Sequence, residues 1–158
     1  MSLLNYNNYN VRLRKSNSIL IDNISFSIDK GQSIGIVGES GSGKSLTALS
    51  ALGLLNKKIF SCSGEILIND KKILEMTDQE LNDIRGNEIS MIFQEPMLSL
   101  NPVKTLESQI NECLRLSNYN LDHLDIIKSL QDVGLSDVNK ILSSYPHMIS
   151  GGQRQRFM

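Results

Sequence analysis

The sequence lacks the features that would place a protein in a membrane or direct it out of the cell. Its longest apolar runs, such as residues 34–37 and 91–93, are far shorter than the roughly 20 residues that a membrane-spanning helix needs. Residues 1–10 are rich in asparagine and tyrosine and contain no basic segment followed by an apolar one, as a signal peptide would. We therefore expect a cytosolic protein.

An excess of charge and a metal-binding cysteine pattern are also missing. The 16 basic and 17 acidic side chains give a net charge of -1, so no overall field would attract a nucleic acid, and we expect none as a partner. Short basic groups, such as Arg12 with Arg14 and Lys15, are typical of solvated faces. Cys62 and Cys113 stand outside any CxxC or Cys/His spacing, which predicts unpaired thiols and no zinc site.

The chain does have the length and apolar content for a folded core. Its 158 residues are 40% hydrophobic, which is ordinary for a soluble globular protein. The sequence patterns indicate a mixed α/β part to about residue 95 and a helical part from about residue 105, joined by the proline-containing segment 95–102. We therefore predict two parts, residues 1–95 and residues 96–158.

Strand patterns are confined to the first part. Alternating apolar residues predict a strand over 19–28, and short apolar runs predict buried strands over 33–37 and 89–93. Residues 64–74 predict a hairpin, because an Asn-Asp turn separates a strand from a possible return strand.

Helical periodicity occurs in both parts. The predicted helices cover residues 44–55, 77–86, a segment from 105 onward, 122–133 and 136–143. Thr77 and Glu80 form a T-x-x-E capping box, and Thr105 is a good N-cap for the third helix. The predicted inward faces include Cys113 and Val133.

Residues 38–45 match the P-loop pattern G-x-x-x-x-G-K-S between a predicted strand and a predicted helix. In such a loop the backbone N–H groups form a concavity for anionic oxygens, and glycines permit the required backbone path. Lys44 would reach the β- and γ-phosphates, and the Ser45 hydroxyl would ligate Mg²⁺. We expect nucleotide contacts from the whole motif, which comprises Gly38, Glu39, Ser40, Gly41, Ser42, Gly43, Lys44 and Ser45.

A second phosphate-facing helix start is predicted near the end of the chain. Ser150 and Gln153 form an S-x-x-Q capping box around Gly151 and Gly152, which leave the helix N-terminus open to an anion. Alone, this tetrapeptide is weak evidence, because helices that begin with serine and glycine are common. Its weight comes from the P-loop and from Gln94, which ends the predicted strand between them.

With these three motifs in this order, the chain resembles the ATP-binding subunit of ABC transporters. Further details, notably residues 94–97, 99–102 and 154–156, resemble the importers of oligopeptides, dipeptides and nickel or related metal chelates. The resemblance implies an α/β P-loop NTPase fold: an ABC-type ATPase core with an N-terminal antiparallel β part and a helical subdomain, incomplete at the C-terminus. Residues 1–95 would be the core, and residues 96–158 the helical subdomain.

The resemblance also implies roles for the motifs. Gln94 would be a catalytic residue that contacts Mg²⁺ and the attacking water, so that Ser45 and Gln94 are the metal-site residues. Ser150, Gly151, Gly152 and Gln153 would contact ATP bound to the P-loop of a second ATP-binding subunit, in a head-to-tail homo- or heterodimer. The segment 95–102 would face membrane-spanning permease subunits, which implies a peripheral location on the cytoplasmic face of the membrane.

Two parts of the family pattern are missing or altered. The resemblance makes residues 149–153 the signature motif of the family. The Walker B aspartate, the general-base glutamate and the switch histidine would all follow this motif, and none is present before Met158. We expect a fragment of a longer protein or a marginally stable chain. The resemblance implies ATP hydrolysis, but we expect no turnover of ATP by this chain alone. For adenine stacking, Leu13 occupies the usual aromatic position, and Tyr9 either serves in a shifted register or packs in the core.

Two other functions stay open at this point. One is a nucleotide-binding module without hydrolysis, which ATP binding without phosphate release would favour. The other is a soluble ABC ATPase that acts on nucleic acid or ribosomes, against which the near-neutral charge argues.

Overall fold

The computed structural model describes residues 2–93, 99–117 and 121–158. The chain forms two compact units, unit 1 over Met1–Ile89 and unit 2 over Ser90–Met158. The predicted boundary between residues 95 and 96 lies outside the described residues. Each unit has its own buried apolar cluster.

Unit 1 contains an antiparallel sheet of 4 strands in the order β2-β1-β3-β4. The strands are β1 (Ser2–Leu13), β2 (Ile19–Asp29), β3 (Phe60–Ile68) and β4 (Lys71–Lys72). The predicted strand over 19–28 and the predicted hairpin are therefore confirmed. Asn69 and Asp70 both adopt positive φ angles, 47° and 63°, which is the conformation of a tight two-residue hairpin turn.

A bulge in β1 decides which of its side chains face the core. The register with β3 shifts between Asn7 and Asn10, and Asn8 takes a φ of 46°. The extra residue allows Tyr6 and Tyr9 to be buried together, although regular alternation would place them on opposite faces. Gly64 on β3 faces the bulge, where a Cβ would lie 2.3 Å from the Asn8 carbonyl oxygen.

The helical elements of unit 1 are α1 (Lys44–Ala51), a 3₁₀ turn (Ile73–Glu75) and α2 (Asp78–Ile84). The predicted capping box of Thr77 and Glu80 is formed in both directions at the start of α2. Gly86, with a φ of 80°, follows the helix end as predicted. The possible return strand after the hairpin is shorter than predicted, because the chain turns into the 3₁₀ helix at Ile73.

The predicted buried strands over 33–37 and 89–93 do not form. Val37 is 95% exposed and Ile92 is 79% exposed, so neither segment has the burial that its composition indicated. A strand exists only where its backbone pairs with a neighbour, and among the described residues these segments have only the isolated bridge of Ile89 with Arg85. An apolar run alone therefore did not determine a strand here.

The described part of unit 2 is helical. Its elements are α3 (Leu106–Leu116), α4 (His123–Asp132), α5 (Val138–Ser143), a 3₁₀ turn (Pro146–Met148) and α6 (Gly151–Phe157). The helix beginning at Thr105, with its N-cap bond to the Ser108 amide, is confirmed. Two predicted inward positions are wrong: Cys113 is exposed on α3, and Val133, the residue that follows α4, is 48% exposed.

Candidate functional site

The P-loop residues connect the unpaired segment 33–37 to helix α1. Gly41 and Gly43 adopt φ angles of 85° and 94°, in the left-handed region that glycine enters without strain. Gly43 is the N-cap of α1, so Lys44 and Ser45 are the first residues of the helix. The first N–H groups of a helix have no partner within it, and here they follow the glycine-rich turn directly.

Gly38 lies close to the Ser42 side chain inside the loop, so that side chain would have to move if position 38 carried a Cβ. A Cβ at this position would lie 2.6 Å from the Ser42 Oγ, which is closer than side-chain carbons approach. At Gly43 a Cβ would lie 3.0 Å from the Leu20 carbonyl oxygen, so the glycine also lets the loop approach the start of β2. Glycine at positions 38 and 43 therefore leaves space in and beside the loop that a side chain would occupy.

The Lys44 ammonium is turned onto the loop itself. Its Nζ donates hydrogen bonds to the carbonyl oxygens of Gly38 at 2.8 Å and Glu39 at 2.6 Å. The Ser42 Oγ lies 3.4 Å from the same nitrogen. A cation held by neutral carbonyls is free to exchange them for phosphate oxygens, since a charged acceptor makes the stronger bond.

Helix α1 is attached to the rest of unit 1 at two positions. The Tyr6 hydroxyl, in the buried core, donates a 2.6 Å hydrogen bond to the Thr47 carbonyl oxygen. At the other end of the helix, Arg85 donates from Nε to the Leu52 carbonyl oxygen at 2.8 Å and from Nη2 to that of Gly53 at 3.0 Å. These contacts position the helix that begins with Lys44.

Sequence reasoning missed Tyr6 and Arg85 as supports of the loop. No local signal distinguishes them, because the partner of Tyr6 is 41 residues away and that of Arg85 is 33 residues away. By contrast, the loop itself was evident from its glycines and lysine, and its contact with phosphate stays a prediction. Ser45, the predicted Mg²⁺ ligand, is exposed at the first turn of α1.

The predicted capping box at the start of α6 is formed in unit 2. Ser150 Oγ accepts a hydrogen bond from the Gln153 amide at 3.2 Å, and the Ser150 amide donates to Gln153 Oε1 at 2.9 Å. A Cβ added to Gly151 or Gly152 would meet nothing within 4 Å, so the backbone there is open to approach.

Other predicted site residues have different outcomes. Gln94 lies outside the described residues, as do residues 95–98 of the segment 95–102 that was predicted to face permease subunits. Tyr9 is 0% exposed, so it packs in the core and is not available for stacking on an adenine ring. Leu13, the residue at the usual aromatic position, ends β1 and is partly buried.

A family model and the curated relatives agree on one family. The family model described as ABC transporter matches residues 21–158. The chain is 46% identical over 145 residues to the oligopeptide transport ATP-binding protein AppD of Bacillus subtilis, covering 87% of this chain and 43% of that protein. It is 44% identical over 140 residues to the dipeptide transport ATP-binding protein DppD of Lactococcus lactis, covering 86% of this chain and 40% of that protein. It is 42% identical over 163 aligned positions to the uncharacterized ABC transporter ATP-binding protein YejF of Escherichia coli, covering 99% of this chain and 31% of that protein.

The fold agrees with that of solved ATP-binding cassettes. A structure described as the dimer of MJ0796, a bacterial ABC transporter cassette, superposes with a TM-score of 0.76 at 24% identity, over 98% of this chain and 66% of that one. The predicted fold class is thereby confirmed. The chain spans less than half the length of the curated relatives it matches. No helix in the described ranges is long and apolar enough to cross a membrane.

Proposed function

The chain belongs to the ABC transporter family, and on that basis we propose that it is the ATP-binding part of an importer that couples ATP binding and hydrolysis to the uptake of peptides. The relatives named for oligopeptide and dipeptide transport support the peptide class. The nickel or metal-chelate alternative within the same subfamily stays a prediction.

The observation that carries the proposal is the geometry of the P-loop. Three glycines leave space and backbone freedom around the turn, and the Lys44 ammonium is bonded only to neutral oxygens of its own loop among the described residues. This donor set, a primary ammonium beside the open start of a helix, suits the β- and γ-phosphates of ATP. The loop residues 38–45 are the proposed nucleotide contacts.

The remaining site residues are proposed by family. Bound Mg²⁺ would neutralise charge on the phosphates, and the exposed Ser45 hydroxyl is its proposed ligand in this chain, together with Gln94. Gln94 is also the proposed residue for orienting the attacking water. Its position at the end of the segment 89–93 supports that role only through the order of the motifs.

The signature residues Ser150, Gly151, Gly152 and Gln153 are proposed to contact ATP held by a second ATP-binding subunit. The open backbone at the two glycines supports this proposal, because a phosphate could approach the N–H groups there. The proposed assembly is a head-to-tail dimer, homomeric or heteromeric, on membrane-spanning permease subunits. It would lie at the cytoplasmic face of the membrane as a peripheral component.

The experiment that tests the proposal is calorimetric titration of the whole chain with MgATP, in the wild type and in Lys44→Met. One charge-assisted hydrogen bond to a phosphate is worth about 1.5–3 kcal/mol, so Lys44→Met is expected to weaken ATP binding by roughly 10- to 100-fold. The matched control is Lys30→Met, which removes the same charge from an exposed turn outside the loop. Equal loss in both variants would contradict a P-loop site.

Phosphate release, measured on the same preparations, separates hydrolysis from binding. ATP binding with steady phosphate release would support an ATPase. Binding without release would favour a nucleotide-binding module for residues 1–158, and it is also the result expected if this chain alone does not turn over ATP. Either result leaves the P-loop assignment intact, so the two levels of the proposal are tested independently.

A further inference from the structure

Unit 1 contains a cavity that the P-loop does not share. It has a volume of about 220 Å³ and lies where β1 and β3 meet the end of α1, the 3₁₀ turn and α2. Its apolar walls come from Leu55, Phe60, Ile73, Leu74 and Leu81. None of the residues 38–45 lines this cavity. Ser50, near the end of α1, is the residue of that helix that lines it.

One wall of the cavity carries a hydrogen-bond donor without an acceptor. The Tyr9 hydroxyl is buried and has no hydrogen-bond partner among the described residues. Burial raises the pKa of Tyr9 well above its ordinary value, with smaller effects from the nearby Cys62 and Ser50 side chains, so the O–H stays protonated at physiological pH. Because a buried donor without a partner is costly, an oxygen atom supplied by a ligand would be stabilised there.

The exposed part of the lining is cationic. Arg14 and Lys57 both line the cavity and both reach solvent. Arg14 Nε donates to the carbonyl oxygens of Lys57 at 2.8 Å and Phe60 at 3.1 Å, which holds the guanidinium beside the opening. No aspartate or glutamate lines the cavity, and within the described ranges neither cation forms an ion pair.

We propose that this cavity is a binding site for a small organic carboxylate with an apolar body. The carboxylate would pair with Arg14 and Lys57 at the opening, the body would fill the apolar interior, and an oxygen at its far end would accept a hydrogen bond from Tyr9. A dry apolar cavity of about 150 Å³ holds a benzene molecule, so this volume suits one substituted ring. The site is separate from the proposed nucleotide site.

The direct test is calorimetric titration of the whole chain with 4-hydroxybenzoate, which has a carboxylate, a ring and a far-end oxygen. Lys57→Gln should weaken binding, whereas Lys58→Gln should not, because Lys58 carries the same charge next to Lys57 but does not line the cavity. Tyr9→Phe should weaken the binding of 4-hydroxybenzoate by about 2- to 10-fold and leave the binding of benzoate unchanged, since only 4-hydroxybenzoate offers an oxygen to the Tyr9 hydroxyl. Lys44→Met should not change the affinity for 4-hydroxybenzoate.

Alkylation of the two cysteines tests where the ligand binds. Cys62 lines the cavity, and Cys113 is exposed on α3 and serves as an internal control. With 4-hydroxybenzoate at about ten times its Kd, alkylation of Cys62 by N-ethylmaleimide should slow about tenfold by mass action, whereas that of Cys113 should not change.

Several results would overturn the proposal. The first is that 4-hydroxybenzoate does not bind at millimolar concentration. The second is that the neutral 4-hydroxybenzyl alcohol binds as tightly as 4-hydroxybenzoate, and the third is that the ligand protects both cysteines equally from alkylation. A Cys62 thiol that fails to react even without ligand would show that the cavity is closed to molecules of this size, and would overturn it as well.

Discussion

Two tyrosines in the core of unit 1 differ in one respect that allows a sharp test. Tyr6 is 1% exposed and Tyr9 is 0% exposed, and their rings contact each other edge to face with centroids 5.5 Å apart. The Tyr6 hydroxyl donates a 2.6 Å hydrogen bond to the Thr47 carbonyl oxygen, whereas the Tyr9 hydroxyl has no partner in the part of the chain that the structure describes. Replacing either by phenylalanine removes one hydroxyl and keeps the ring.

The two substitutions should therefore have opposite consequences. Tyr6→Phe removes a buried hydrogen bond and should lower the free energy of unfolding by about 1 kcal/mol, within the usual range of about 0.5–1.5 kcal/mol. Tyr9→Phe removes a buried polar group that has nothing to bond, so the free energy of unfolding should stay the same or rise by up to about 1 kcal/mol.

Urea denaturation followed by circular dichroism measures both effects. A change in midpoint at constant slope reports stability, and the difference between the two variants cancels effects common to losing a tyrosine hydroxyl. If Tyr9→Phe destabilised the chain as much as Tyr6→Phe, the buried hydroxyl of Tyr9 would have a partner in solution, and the hydrogen-bonding argument for the cavity would fail with it.

The remaining predictions concern the bulge and one ion pair. Gly64→Ala should destabilise the chain by more than about 1 kcal/mol in the same urea assay, because it adds a Cβ at positive φ 2.3 Å from the Asn8 carbonyl oxygen. Gly31→Ala, at a similar φ but with nothing within 4 Å of the added Cβ, should cost less, and an equal cost would contradict the clash. Lys71 lowers the pKa of Glu88 from its ordinary value, so the stability from this carboxylate is complete above an unfolded-state pKa of about 4.3 and is lost as pH falls through the lower folded-state value. Glu88→Gln should flatten that acid-limb dependence in thermal melts, and an unchanged pH profile would refute the assignment.

Local signals in the sequence predicted their structures well. The capping boxes at Thr77 and Ser150 are formed as predicted, because both partners of each box lie within one turn of the chain. Gly41 and Gly43 likewise adopt the left-handed φ angles that the glycines of the motif permit, whereas the predicted contact of Lys44 with phosphates stays a prediction. In these cases neighbours along the chain supply all the atoms that matter.

Features that depend on distant partners were not predictable in this way. The segments 33–37 and 89–93 have the composition of buried strands, but a strand requires a neighbouring backbone, and sequence composition does not report one. The bulge at Asn8 buries Tyr9, which a regular alternation could not have shown. The contact of Arg85 with the end of α1 likewise joins residues that are far apart in sequence.

The central claim is that the loop 38–45 recognises the terminal phosphates of a nucleotide. Equilibrium titration of the whole chain with MgATP and with AMP tests it most directly, because the two ligands share the base and sugar and differ in their β- and γ-phosphates. The geometry of Lys44 and the first turn of α1 predicts that ATP binds at least about tenfold more tightly than AMP. Equal affinity for the two nucleotides, or no affinity for either, would contradict the account.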